Sequence, residues 1–125
     1  MMMQSIGIDI IEIARIKQAI AHWGEAFLCR VYTDQELKLY RKSIPSLAAR
    51  FAGKEAVVKL FGARKTGIKW CDIEILPRPS GQPFVNLYRQ AKSEARELRL
   101  QAINISLSHS KEYAVAAAIG IQSGS

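Results

Sequence analysis

The chain reads as an α+β fold: a single small domain in which a largely antiparallel sheet packs with helices. Three observations predict this. Segments of alternating apolar residues stand near both ends, helical periods fill much of the space between, and a Pro/Gly-rich turn joins two further alternating segments. No internal repeat, low-complexity tract or linker divides residues 1–125, so one domain takes the whole chain.

Ser5 to Ile10 places Ile6, Ile8 and Ile10 on one face and Gly7 and Asp9 on the other, the pattern of a half-buried strand. From Ile13 the spacing becomes helical through Ile16 and Ile20, reaching about His22, so Asp9 lies where strand gives way to helix. Thr33-x-x-Glu36 is a capping box that starts a short helix carrying Leu37 and Tyr40. A long helix follows from about Pro45 to Phe61, with Pro45 in its first turn, Gly62 as its stop, and Leu47, Phe51, Val58 and Phe61 as its apolar stripe. Ile73 and Ile75 alternate with Asp72 and Glu74. The run Pro77 to Pro83 then turns the chain into Phe84 to Tyr88, making a hairpin. Gln90 to Leu100 is composed of helix formers and reads as a surface helix. Ile103, Ile105 and Leu107 alternate with Asn104, Ser106 and Ser108, and a turn at residues 108–112 leads into Tyr113 to Ile121.

Composition narrows the class. Of 125 residues, 49% are hydrophobic and 23% charged, which is ordinary for a globular protein. A chain this short buries a smaller fraction of its surface than a large one, so an oligomer interface would help it. The two cysteines, Cys29 and Cys71, form no Cys-x-x-Cys pair and have no nearby histidine, the pattern of free thiols in a reducing cytoplasm. The longest apolar stretch is Tyr113 to Ile121, too short for a membrane span, and the first residues lack a secretory signal's basic region.

The net charge of +7 is concentrated in one window. Residues 41 to 70 carry Arg41, Lys42, Arg50, Lys54, Lys59, Arg64, Lys65 and Lys69 against the single acid Glu55, while the rest of the chain is electrically balanced. Such a window suits phosphates, nucleic acid or an acidic protein; its plainer reading is a solvated basic face.

Asp9 followed by Glu12 fits a helix N-cap with its capping-box partner, and on the residues alone the cap is the better account. Glu55 falls at the edge of the apolar stripe, where a carboxylate needs a partner. Lys59, one turn on, is the ordinary partner. Yet a lone acid among Arg50, Lys54 and Lys59 also suits a magnesium-bound polyphosphate, with the carboxylate on the metal and the lysines on phosphate oxygens. His109, between Ser108 and Ser110 in the last turn and followed by Lys111, is either an exposed side chain or part of a donor-rich loop for an anion. The chain has no P-loop, no Gly-x-Gly-x-x-Gly, no nucleophile elbow and no zinc spacing. Nucleotide triphosphatase, dehydrogenase and serine hydrolase readings therefore lose support.

Three segments together resemble one family, the holo-acyl-carrier-protein synthases of the phosphopantetheinyl transferase superfamily, in their small bacterial type. They are Ile6-Gly-Ile-Asp-Ile10, Arg50-Phe-Ala-Gly-Lys-Glu-Ala-Val-Val-Lys59 and Ser106-Leu-Ser-His-Ser-Lys-Glu-Tyr113, and the match covers nearly the whole chain. The resemblance implies transfer of the 4′-phosphopantetheine arm of coenzyme A to a serine of an apo acyl carrier protein, releasing adenosine 3′,5′-bisphosphate. It implies Asp9 and Glu55 on magnesium and Lys59 on the phosphates. For coenzyme A it implies contacts from His109 with Ser108 and Ser110, from Gly81 and Pro83 of the hairpin turn, and from Lys54, Gly62, Arg64 and Lys65. Arg64 or Lys65 replaces by charge a more glycine-rich loop seen in relatives. Arg15 is implied to face the acidic recognition helix of the carrier protein. In the mechanism the resemblance implies, the serine would be deprotonated by a water or a carboxylate at the metal. The implied assembly is a homotrimer with coenzyme A at subunit boundaries, cytoplasmic, with no membrane or nucleic-acid partner. Two rivals remain: a non-enzymatic RNA- or polyphosphate-binding module resting on the same basic window, and an interaction domain in which Asp9 is only a cap.

Overall fold

A computed structural model describes residues 2–124. The elements are β1 (Met2–Glu12), α1 (Ile13–Trp23), α2 (Glu25–Val31), α3 (Asp34–Tyr40), α4 (Ile44–Lys59), β2 (Ile73–Pro77), β3 (Pro83–Leu87), α5 (Arg89–Glu97), β4 (Leu100–His109) and β5 (Tyr113–Ser123). All strand pairs are antiparallel, in a three-stranded sheet ordered β1-β5-β4 and a separate β2-β3 hairpin. The α+β reading holds, and the first and last strands lie side by side, with Asp9 opposite Ala116.

Helix α4 lies against β1, β5 and β4 and organises the core. Its buried positions are mostly small: Ala48, Ala49, Ala52, Gly53 and Ala56, together with Leu47 and Val57. Phe51 and Val58, expected on a narrow apolar stripe, are only half-buried, because the chain wraps this helix on more than one side. Small residues let the helix backbone approach β1 closely. At Gly7 a Cβ would sit 1.9 Å from the Ala56 carbonyl oxygen, so only glycine fits there.

That crossing reverses one expectation. The inward face of β1 is the one carrying Gly7, Asp9 and Ile11, while Ile6, Ile8 and Ile10 point outward at 71%, 60% and 64% exposure. Isoleucines facing α4 would hold the helix off the strand; glycine permits contact. The outward face continues onto β5 through Ile119, which pairs with Ile6.

Several local features differ from the sequence reading. Asp9 does not cap a helix: β1 runs on to Glu12, which occupies the N-cap of α1 without a side-chain bond. Helix α2 was not anticipated; Gly24, at φ +57°, ends α1 and lets the chain restart at once. The Thr33 capping box is present, with Thr33 N–H donating to Glu36 Oε1 at 2.9 Å and Glu36 N–H to Thr33 Oγ1 at 3.3 Å. Helix α4 starts on Ser43, whose hydroxyl accepts from Ser46 N–H, and stops at Lys59 rather than Phe61. Gly62, at φ +55°, then opens a 3-10 turn over Gly62–Lys65. Helix α5 ends at Glu97, and Leu100 already belongs to β4, the reversal passing through Arg99 at φ +56°. His109 closes β4 instead of lying in the turn.

Candidate active site

The close crossing of β1 and α4 brings three of the sequence-predicted residues together. Alternation on β1 puts Asp9 on the same face as Gly7, toward α4. One helical turn separates Glu55 from Lys59. Asp9 and Glu55 line a single cleft of 330 Å³, with Arg15 of α1 and Phe51 also in its wall. Lys59 is not the partner of Glu55. Its ammonium donates to the Ile8 carbonyl at 2.6 Å and lies 3.5 Å from Asp9 Oδ1. Glu55 is held instead by Trp70, whose indole N–H donates to Glu55 Oε1 at 2.8 Å. Glu55 also borders a larger cleft of 610 Å³, shared with Arg30, Val58, Ile68, Lys69 and Trp70.

Lys54, expected on the phosphates, is a correction. Its ammonium is fully buried, 2.7 Å from the equally buried Glu36 carboxylate, and it also donates to the carbonyls of Trp70 (3.1 Å) and Ile73. Burial pushes its pKa down while Glu36 acts to hold it up. An ammonium enclosed this way cannot meet a phosphate without unpairing a buried carboxylate.

The remaining predicted contacts fall in two places. Gly81, Pro83, Ser108 and His109 line a third cleft, of 170 Å³, with Ser46 and Arg50, and no residue lining it lines the acidic cleft. Arg50 is held there by the Tyr40 hydroxyl at 2.7 Å and by its guanidinium lying 3.8 Å from the Tyr40 ring centroid. Its Nε is buried with no hydrogen-bond partner among the described residues, and burial lowers its pKa. The Ser110 hydroxyl is engaged in the turn, accepting from the N–H groups of Glu112 (3.4 Å) and Tyr113 (3.2 Å). Gly62, Arg64 and Lys65 are exposed in the 3-10 turn, and Arg64 pairs with Glu94 at 2.7 Å.

The basic window is thus not one polyanion-binding face. Arg41 pairs with Glu25, Lys54 with Glu36 and Arg64 with Glu94, and Lys59 turns to Asp9. Among the described residues no group of three or more His, Cys, Asp or Glu side chains forms a metal cage. Two carboxylates on one cleft nonetheless fit magnesium, which takes one or two protein carboxylates and completes its shell with water and substrate phosphates. Sequence reasoning missed two residues here. Trp70 lies fifteen positions from Glu55, outside any motif, and no spacing links them. Arg50 was counted only as a charge near Glu55; its place between Tyr40 and the His109 cleft depends on α3 packing against α4.

Comparison with known proteins assigns the arrangement to a class. Residues 5–118 match the model of the 4′-phosphopantetheinyl transferase superfamily, and this chain belongs to that superfamily. It is 54% identical over 110 residues to the holo-[acyl-carrier-protein] synthase of Dehalococcoides mccartyi strain CBDB1, covering 88% of this chain and 92% of that protein. It is 43% identical over 123 residues to the holo-[acyl-carrier-protein] synthase of Alkaliphilus oremlandii, covering 96% and 100%. Among solved structures, the Helicobacter pylori holo-[acyl-carrier-protein] synthase in complex with coenzyme A superposes with a TM-score of 0.80 at 32% identity, over 93% of this chain and 99% of that one. No helix among the described residues is long and apolar enough to cross a membrane.

Proposed function

We propose that this chain is a holo-acyl-carrier-protein synthase, which transfers the 4′-phosphopantetheine arm of coenzyme A to a serine of an apo acyl carrier protein and releases adenosine 3′,5′-bisphosphate. The observation that carries the reading is the meeting of Asp9 and Glu55 on one cleft, with Lys59 beside Asp9, in a chain of this superfamily.

The mechanism follows from charge. The carrier serine oxygen attacks the β-phosphorus of coenzyme A and gives up its proton to a water or carboxylate at the acidic wall. The bond to the bridging oxygen breaks, and negative charge gathers on the leaving bisphosphate. Asp9 and Glu55 would hold magnesium, which when bound neutralises the diphosphate oxygens. Lys59, anchored by the Ile8 carbonyl, presents its remaining N–H bonds to the same oxygens. The 610 Å³ cleft beyond Glu55, of a size usual for ligand pockets, is the space available to the pantetheine arm. Arg15, exposed on α1 at the mouth of the acidic cleft, faces the acidic carrier protein. The setting is the cytoplasm.

The separate His109 cleft supports a site completed by a second copy, with Gly81, Pro83, Ser108, His109 and Arg50 of one subunit closing on the Asp9 and Glu55 cleft of the next. The exposed Ile6, Ile8 and Ile10 face supports the assembly, proposed as a trimer, since an apolar sheet face of this kind is seldom left in water. Ile8→Arg is expected to leave monomers in sedimentation velocity; a wild-type chain that sediments as a monomer sinks the shared site.

The direct test incubates the protein with apo acyl carrier protein, coenzyme A and magnesium, and weighs the intact carrier. The added mass of the phosphopantetheine arm is expected, with loss of the product in Asp9→Asn and Glu55→Gln. No added mass on several apo carriers overturns the reading.

A further inference from the structure

Trp70 is tied down at both its side chain and its backbone, beside a proposed metal-holding acid. Its indole N–H donates to Glu55 Oε1 at 2.8 Å, and its ring packs on Phe51 with centroids 5.8 Å apart. Its carbonyl accepts from the buried Lys54 ammonium, which Glu36 holds at 2.7 Å. The turn that carries it, Trp70–Asp72, is closed by Asp72, which accepts from Lys69 N–H at 3.0 Å and from Arg89 Nε at 2.8 Å.

An indole N–H donates only and carries no charge. It can therefore occupy one oxygen of a carboxylate, fix the plane of the other, and leave the negative charge available to a cation. A lysine in its place would compete with the metal, and a phenylalanine would leave the Glu55 side chain free to turn. Partners of this kind behind a metal ligand set both its orientation and its affinity.

From this geometry we infer that Trp70 is a positioning residue that aims the second oxygen of Glu55 into the acidic cleft, and that the buried Glu36–Lys54 pair anchors Trp70 for that role. The inference rests on the transferase reading. It gives Lys54 a part in the site without contact to a phosphate.

The test is a magnesium titration of coenzyme A binding by calorimetry, with Trp70→Phe keeping the ring and removing the donor. The magnesium concentration for half-maximal binding is expected to rise about tenfold. The thermal midpoint should stay near wild type. In a Glu55→Gln background the same substitution is expected to add nothing further. A wild-type magnesium response in Trp70→Phe, or an equal effect of that substitution with and without Glu55, overturns the inference. Trp23→Phe gives an independent route, because it leaves Trp70 as the single tryptophan. Its emission should change with magnesium and coenzyme A, and not in the added Glu55→Gln variant; an unchanging signal also overturns the proposal. Absence of both magnesium-dependent binding and transfer in the wild type defeats the transferase reading itself.

Discussion

Lys54 and Lys59 stand five residues apart on one helix and have opposite fates. At 3.6 residues per turn they point about 140° apart around the axis. Lys54 enters the core, fully enclosed and paired with Glu36, while Lys59 remains 53% exposed beside Asp9. The same chemical group serves as a structural tie on one side of α4 and as an available cation on the other. Residue type and local charge density do not separate the two; what packs against each face of the helix does.

Replacing each lysine breaks the comparison at its strongest point. Lys54→Met leaves the Glu36 carboxylate buried without its cation and is expected to cost about 3–5 kcal/mol in denaturant unfolding, with the β2-β3 end of the molecule loosened in hydrogen exchange. Lys59→Met removes a partly exposed cation and should change stability by less than about 0.5 kcal/mol. Its transfer rate is expected to fall about 100-fold or more, as when one group that stabilises developing charge is lost. If Lys54→Met keeps full stability, or Lys59→Met keeps full activity, the division between the two faces is wrong.

A smaller effect sharpens the picture on the buried side. Glu74, a neighbour of this polar core, is opposed by burial, yet hydrogen bonds from Thr33 (2.6 Å), Tyr88 (2.8 Å) and Asn86 (3.2 Å) outweigh it and hold its pKa below the usual carboxylate value. A lowered folded-state pKa means the unfolded chain binds the proton more readily. This carboxylate therefore adds stability above its unfolded-state pKa and loses it as pH falls through the lower folded value. Tyr88→Phe removes one donor, so the acid-unfolding midpoint followed by circular dichroism should move to higher pH, with about 1 kcal/mol lost at neutral pH. An unchanged midpoint would show that the Tyr88 hydrogen bond does not stabilise the charged form.

Where the sequence reading held, the signal was local. The Thr33 capping box, the Pro77 to Pro83 turn and the alternating strands are written in neighbouring residues, and each appears with boundaries shifted by a few positions. Where it failed, the decision lay at a distance. Asp9 and Glu12 have the spacing of a cap, but β5 pairs with β1 as far as Glu12 and keeps Asp9 in the strand. Glu55 and Lys59 have the spacing of an ion pair, but Ile8 and Trp70 offer nearer partners. The isoleucines of β1 look like core because apolar alternation does not say which face the helix will cover.

By itself the sequence determined the α+β class and the presence of Asp9, Glu55 and Lys59 in recognisable motifs. Tertiary structure decided that Gly7 admits α4, that this contact sets Asp9 beside Lys59 and on one cleft with Glu55, and that Lys54 is buried away from that cleft. The physical reason is one of range. Period, capping and turn chemistry act over a few residues, whereas the partner of a side chain on a central helix is chosen by whichever strand or loop fills the space against it.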